Sequence, residues 1–210
     1  MQSFSSLLGE QQLLPIIQAS SVQQGINITQ AMVDADINLV EVVLRTDVSI
    51  DVIVALKQQF PALIVGAGTV LDATILGRAI EAGADFIITP AVTPALLTEL
   101  RQCSVPVLPG VSSTSDILLA REYGYSEMKL FPASLSGGEA FLKAMQSVFR
   151  DVLFCPTGGV NAENFDDYLA LKNVFAVGGT WVANPNWIAA EQWQKITDAC
   201  NTLTLLPSDS

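Results

Sequence analysis

Histidine is absent from the sequence. That removes Ser-His-Asp and Cys-His nucleophiles, imidazole acid–base chemistry and the usual zinc ligand sets. Catalysis, if there is any, must run on lysine, carboxylates, tyrosine, cysteine or backbone dipoles. Cysteine is scarce too: Cys103, Cys155 and Cys200 are odd in number, far apart and set in apolar segments, with no CxxC spacing. They read as buried free thiols in a reducing cytosol, not as a metal or redox centre. Positive charge is equally thin. Ten Lys and Arg face 21 Asp and Glu, a net charge of −11, and nothing basic is clustered. Nucleic acid and anionic membranes are therefore not expected as partners. No apolar run reaches the roughly 18 residues of a membrane helix. The opening MQSFSSLLGEQQ lacks the basic and apolar regions of a signal peptide. A cytoplasmic location is the expectation.

What is present suits one compact domain over residues 1–210, half of them hydrophobic and 15% charged, enough to fill a single core. Strand-like apolar runs fall at Leu13–Ile17, 39–44, 63–66, 86–89, 105–108, 127–131, 152–155 and 174–177. Amphipathic, helix-like stretches separate them, at 22–36, 49–60, 73–82, 94–103, 115–123, Gly138–Val148 and 162–171, with a last one near 187–202. Pro94 suits a first helical turn, and Asp72 and Asn161 suit N-caps. Near-continuous apolar strands alternating with helices imply a parallel sheet covered on both faces. The expected fold is α/β, a (β/α)8 TIM barrel, with residues 4–11 as an extra N-terminal helix over its bottom. A doubly wound open sheet is the alternative.

The chain has five lysines, and only Lys129 interrupts an apolar strand, in MKLFPAS. It is either a salt-bridged barrel residue or an amine kept from water so that its neutral form can attack a carbonyl. Glu41 sits in an equally apolar strand, LVEVVLRT, where an unpaired carboxylate is costly. It is a structural partner for Arg45 or Lys129, or a proton shuttle beside a carbonyl bound to Lys129. Strand period puts Glu41, Val43 and Arg45 on one face, and Lys129 with Phe131 on another. Arg45, at the strand's end, is either a surface residue or, by its inward parity, a carboxylate clamp. Gly158–Gly159 and Gly178–Gly179 close the last two strands; each pair alone is what a turn needs, but two on consecutive loops match the place where barrels build phosphate sites from backbone N–H groups.

The motifs EVVLRT (41–46), VGAGTV (65–70), PGVSS (109–113), KLFPA (129–133), CPTGG (155–159) and VGGTW (177–181) resemble, in order and spacing, the 2-keto-3-deoxy-6-phosphogluconate (KDPG) and 4-hydroxy-2-oxoglutarate (KHG) aldolase family. LRT and CPTGG follow the phosphogluconate branch rather than the phosphogalactonate one. The resemblance implies a class I aldolase that cleaves KDPG to pyruvate and glyceraldehyde 3-phosphate, the Entner–Doudoroff reaction, and also KHG to pyruvate and glyoxylate. It implies Lys129 as Schiff-base lysine and Glu41 as general acid/base. Arg45 and Thr69 would hold the pyruvate carboxylate, Phe131 would wall the substrate, and Thr157 would bear on stereochemistry at the hydroxyl carbon. Gly158, Gly159, Gly179 and Thr180 would take the phosphate, so a side chain at Gly159 is expected either to clash with it or to twist those N–H groups away. Thr180 stands where serine is more frequent, and Ala91 where glycine is common. The family implies a homotrimer and no metal or other cofactor. A non-catalytic phosphometabolite-binding barrel and a phosphosugar isomerase or epimerase are the competing readings. Neither needs a lysine on a strand.

Overall fold

The computed structural model of the chain describes residues 3–204. Its strands, in chain order, are β1 (Leu13–Ile17), β2 (Leu39–Val43), β3 (Ile64–Gly68), β4 (Phe86–Ile88), β5 (Val107–Leu108), β6 (Gly110–Val111), β7 (Glu127–Leu130), β8 (Leu153–Pro156) and β9 (Val177–Gly179). The helices are α1 (Ser5–Leu8), α2 (Val22–Val33), α3 (Ser49–Gln59), α4 (Ala73–Glu81), α5 (Pro94–Leu100), α6 (Thr114–Glu122), α7 (Gly138–Val148), α8 (Phe165–Leu169), α9 (Pro185–Ala189) and α10 (Trp193–Thr204). The strands β5-β4-β3-β2-β1-β9 form one parallel sheet and β6-β7-β8 another. Single parallel bridges, Phe154 to Val174 and Thr157 to Gly178, link the β8 and β9 segments. The result is an α/β fold built on a curled parallel sheet.

Side-chain alternation divides the interior in two. Val40 and Val42 of β2, Val65 and Ala67 of β3, and Met128 and Leu130 of β7 pack outward with the helices. Leu14, Leu39, Phe86, Ile88, Leu108 and Cys155 point the other way and pack together inside the curl. Phe4 completes that inner cluster, edge-on to Phe86 with ring centroids 5.1 Å apart. Glu127, at the start of β7, holds this end of the chain. Its carboxylate accepts from Ser3 Oγ at 2.7 Å, Phe4 N at 2.5 Å, Ser5 N at 3.1 Å and Ser5 Oγ at 2.6 Å. A helix this short leaves most of its N–H groups without internal partners, and a carboxylate is suited to take them.

Several expected boundaries move, each for a local reason. The helix expected over 4–11 is the single turn α1, ended at Gly9 with φ 57°. The strand expected over 105–108 becomes β5 and β6, interrupted at Pro109, which has no N–H for the ladder. The strand expected over 174–177 shifts forward to β9, because Val174 makes only a single bridge. The helix expected over 162–171 shrinks to α8, with Asn164 and not Asn161 at its N-cap position; Asn161 Oδ1 instead accepts from Glu163 N. The last stretch divides into α9, opened by Pro185, and α10, with Glu191 between them at φ 51°. Asp72 caps α4 through Ile75 N, and Pro94 opens α5 as expected.

Candidate active site

Lys129 and Glu41 meet inside the curl. β7 projects Lys129 inward while its neighbours Met128 and Leu130 are locked into the outer core. β2 projects Glu41 inward by the same alternation. Lys129 Nζ lies 3.1 Å from Glu41 Oε1 and 3.3 Å from Oε2. Glu41 is fully buried and Lys129 is 5% exposed. Of the two partners the sequence left open to Glu41, Lys129 is the one it contacts. The Phe131 ring stands 5.4 Å from Nζ, so the expected shared face of residues 129 and 131 is present. Cys155 is paired with Lys129 in the ladder and is fully buried. Burial pushes its thiol up to about 12, Lys129 acting to lower it and Glu41 to raise it. A neutral group therefore lies alongside the ion pair.

Arg45 stands just beyond the end of β2 and remains exposed. Its Nε donates to Thr69 Oγ1 at 3.1 Å, joining the two residues expected to share the carboxylate. Thr69 holds φ 62°, a conformation few β-branched residues adopt. Two residues missed at the sequence level fix this rim. Thr46 Oγ1 donates to Ala19 O at 3.0 Å, and Ser49 Oγ donates to Val43 O at 3.0 Å, with 2.8 Å between the two hydroxyls. They tie the ends of β1 and β2 together. The signal was the TDVS segment before α3, whose hydroxyls suit local backbone bonds.

The glycine-rich ends come together beyond β1, where β9 pairs with it. Thr157 bridges Gly178, and Ala133 N and Ser134 N donate to Thr157 O and Gly158 O at 2.8 and 3.0 Å. Gly158 and Gly159 have φ of 91° and 85°, which favours glycine at both. A Cβ on Gly159 would overlap the Ser134 side chain. A side chain there therefore disturbs the loop itself as well as any ligand. A Cβ on Gly179 would overlap the Trp181 ring. Arg45 and Thr180, the expected carboxylate and phosphate positions, line one cavity of about 480 Å³, with Gln18, Ser20 and Pro185 also on its wall. Ala91 is exposed.

A buried lysine held against a carboxylate on a parallel α/β sheet is the equipment of enzymes that form Schiff bases with carbonyl compounds. The chain belongs to the KDPG and KHG aldolase family, whose model matches residues 4–199. It is 38% identical over 195 residues to the KHG/KDPG aldolase of Escherichia coli K12, covering 93% of this chain and 92% of that one. It is 41% identical over 191 residues to the 2-dehydro-3-deoxy-phosphogluconate aldolase of Pseudomonas aeruginosa, covering 91% and 87%. Among solved structures, the KDPG aldolase of Legionella pneumophila, with pyruvate captured as a covalent carbinolamine, superposes with a TM-score of 0.92. That pair is 35% identical, and the match covers 95% and 97% of the two chains.

Proposed function

We propose that this protein is a class I aldolase that cleaves KDPG to pyruvate and glyceraldehyde 3-phosphate, and KHG to pyruvate and glyoxylate. The observation that carries the reading is the buried Lys129–Glu41 pair, 3.1 Å apart, in a chain of this family. A phosphometabolite-binding barrel or an isomerase has no use for that pair.

The mechanism follows from its geometry. The contact supplies an acceptor for the lysine proton, so transfer from Nζ to Glu41 frees the amine lone pair as substrate enters. Nζ attacks C2 of the keto acid; Glu41 returns its proton to the departing hydroxyl, and the carbinolamine loses water to give an iminium, which is an electron sink, leaving Glu41 ionised. Glu41, directly or through a water, takes the proton of the C4 hydroxyl. The C3–C4 electrons pass into the iminium, and the aldehyde leaves. The enamine is then protonated at C3, and water releases pyruvate from Nζ. Arg45 and Thr69 hold the carboxylate, Phe131 forms a wall, and Thr157 discriminates at C4. The backbone N–H groups of Gly158, Gly159, Gly179 and Thr180 take the phosphate.

The reading extends to the whole assembly. The sheet closes as a (β/α)8 barrel through the Thr157–Gly178 side, the chain acts as a single domain, and three copies associate. Its place is the cytoplasm, where three free thiols are stable. The test is borohydride reduction in the presence of pyruvate. A pyruvate-derived mass is expected on the peptide containing Lys129, and labelling elsewhere, or none, rejects the assignment.

A further inference from the structure

The inner face of β3 is bare where its neighbours are crowded. Val65 and Ala67 face the helices, while the inward positions after Ile64 are Gly66 and Gly68. A side chain from an adjacent strand lies over each glycine. A Cβ on Gly66 would run into the Phe86 ring of β4. A Cβ on Gly68 would overlap Glu41 Oε1 and lie 2.6 Å from its Cδ and 2.8 Å from its Cγ. The ladder pairs Glu41 with Gly66 and Val43 with Gly68. The Glu41 side chain therefore leans one step along the sheet, toward the C-terminal strand ends, and lies on Gly68.

From this we infer that Gly68 is a positioning residue for the aldol cleavage, setting the place of the Glu41 carboxylate by leaving the space it occupies. The inference rests on the aldolase reading above. The collision involves Cγ and Cδ as well as the carboxylate tip, so turning the terminal torsion does not remove it. Glu41 is fully buried and has no solvent into which to swing. Its carboxylate must therefore move relative to Lys129 Nζ, now 3.1 and 3.3 Å from the two oxygens. General acid–base catalysis depends on reach of about 2.6–3.2 Å, so a shift of a few tenths of an ångström is enough to matter. Gly68 has no positive φ among the glycines of the chain. Alanine is thus excluded by the carboxylate and not by the backbone.

The experiment is a double-mutant cycle with Gly68→Ala and Glu41→Ala. In the wild-type background, Gly68→Ala should lower kcat for KDPG cleavage by about 10² or more with little change in KM, and shift the limb of the pH–rate profile that depends on Glu41. In the Glu41→Ala background the obstructed side chain is gone. Gly68→Ala should then alter the residual rate less than about threefold and leave the melting temperature at or above that of Glu41→Ala alone. The double variant retains this stability readout even if the single Gly68 variant folds poorly. Equal losses in both backgrounds would make Gly68 a general sheet residue and overturn the inference, as would an unchanged rate and pH profile in the single variant. Borohydride trapping of pyruvate on wild-type Lys129 is scored separately, so failure of the aldolase reading is distinguishable from failure of this one.

Discussion

The Lys129–Glu41 pair is poorly explained as a device for stability. Removing two charges from water costs several kcal/mol per ion, and a buried pair often contributes less than apolar residues of the same volume. Among the described residues Arg121–Asp151 and Lys143–Glu139 are solvated, and Lys57–Asp85 is only partly buried. The burial of this one makes sense under the proposed function, in which Lys129 is the nucleophile and Glu41 lies in contact with it. Glu41→Gln keeps the shape and one hydrogen-bond acceptor but removes the base. Steady-state kinetics should show KDPG cleavage falling by about 10²–10⁴, while pyruvate affinity, which the proposed function assigns to Arg45 and Thr69, changes less. Turnover close to wild type would make Glu41 a structural partner only. Both residues were legible in the sequence because a charge inside an apolar strand needs a reason. Gly68 was not, since a glycine's role depends on which neighbour lies over it.

At the scale of elements, strands and helices could be read from alternating apolar runs, while their ends could not. Backbone hydrogen bonding decides an end, and that is set by single residues, such as Pro109 with its missing N–H or Glu191 with its φ of 51°, which apolar patterning does not register. Caps are the exception, because their partners are local. Asp116, in the first turn of α6, accepts from Ser112 N and Ser112 Oγ, each at 3.0 Å, while Ser113 Oγ accepts from Asp116 N at 3.2 Å. Burial pushes the Asp116 carboxyl up, but the Ser112 and Ser113 donors outweigh it and hold the pKa below its ordinary 3.8. A depressed folded value means that the stabilisation is present above the unfolded pKa and lost as pH falls through the folded one. Asp116→Asn should therefore lower the melting temperature at pH 7 and shrink the difference from wild type below about pH 3. A difference independent of pH would assign the effect to packing.

For the molecule as a whole, charge sets a problem that the site must solve locally. The chain carries −11, and the proposed substrate KDPG brings a carboxylate and a phosphate, the latter about −1.5 to −2 at neutral pH. The long-range field therefore repels the substrate, and under the proposed function capture falls to Arg45 and to backbone N–H groups at the strand ends. These two contributions respond differently to salt. The Debye length falls from about 30 Å at 0.01 M to about 8 Å at 0.15 M. That screens charges spread over the surface more strongly than donors in contact with the ligand. Raising ionic strength over this range should thus increase kcat/KM for KDPG by a few fold, roughly 2–5. The increase should be smaller for the less highly charged KHG. A viscosity control identifies whether encounter limits the rate. A fall in kcat/KM with salt would mean that the positive potential at Arg45 and the strand ends reaches far enough into solvent to outweigh the charge of the rest of the molecule.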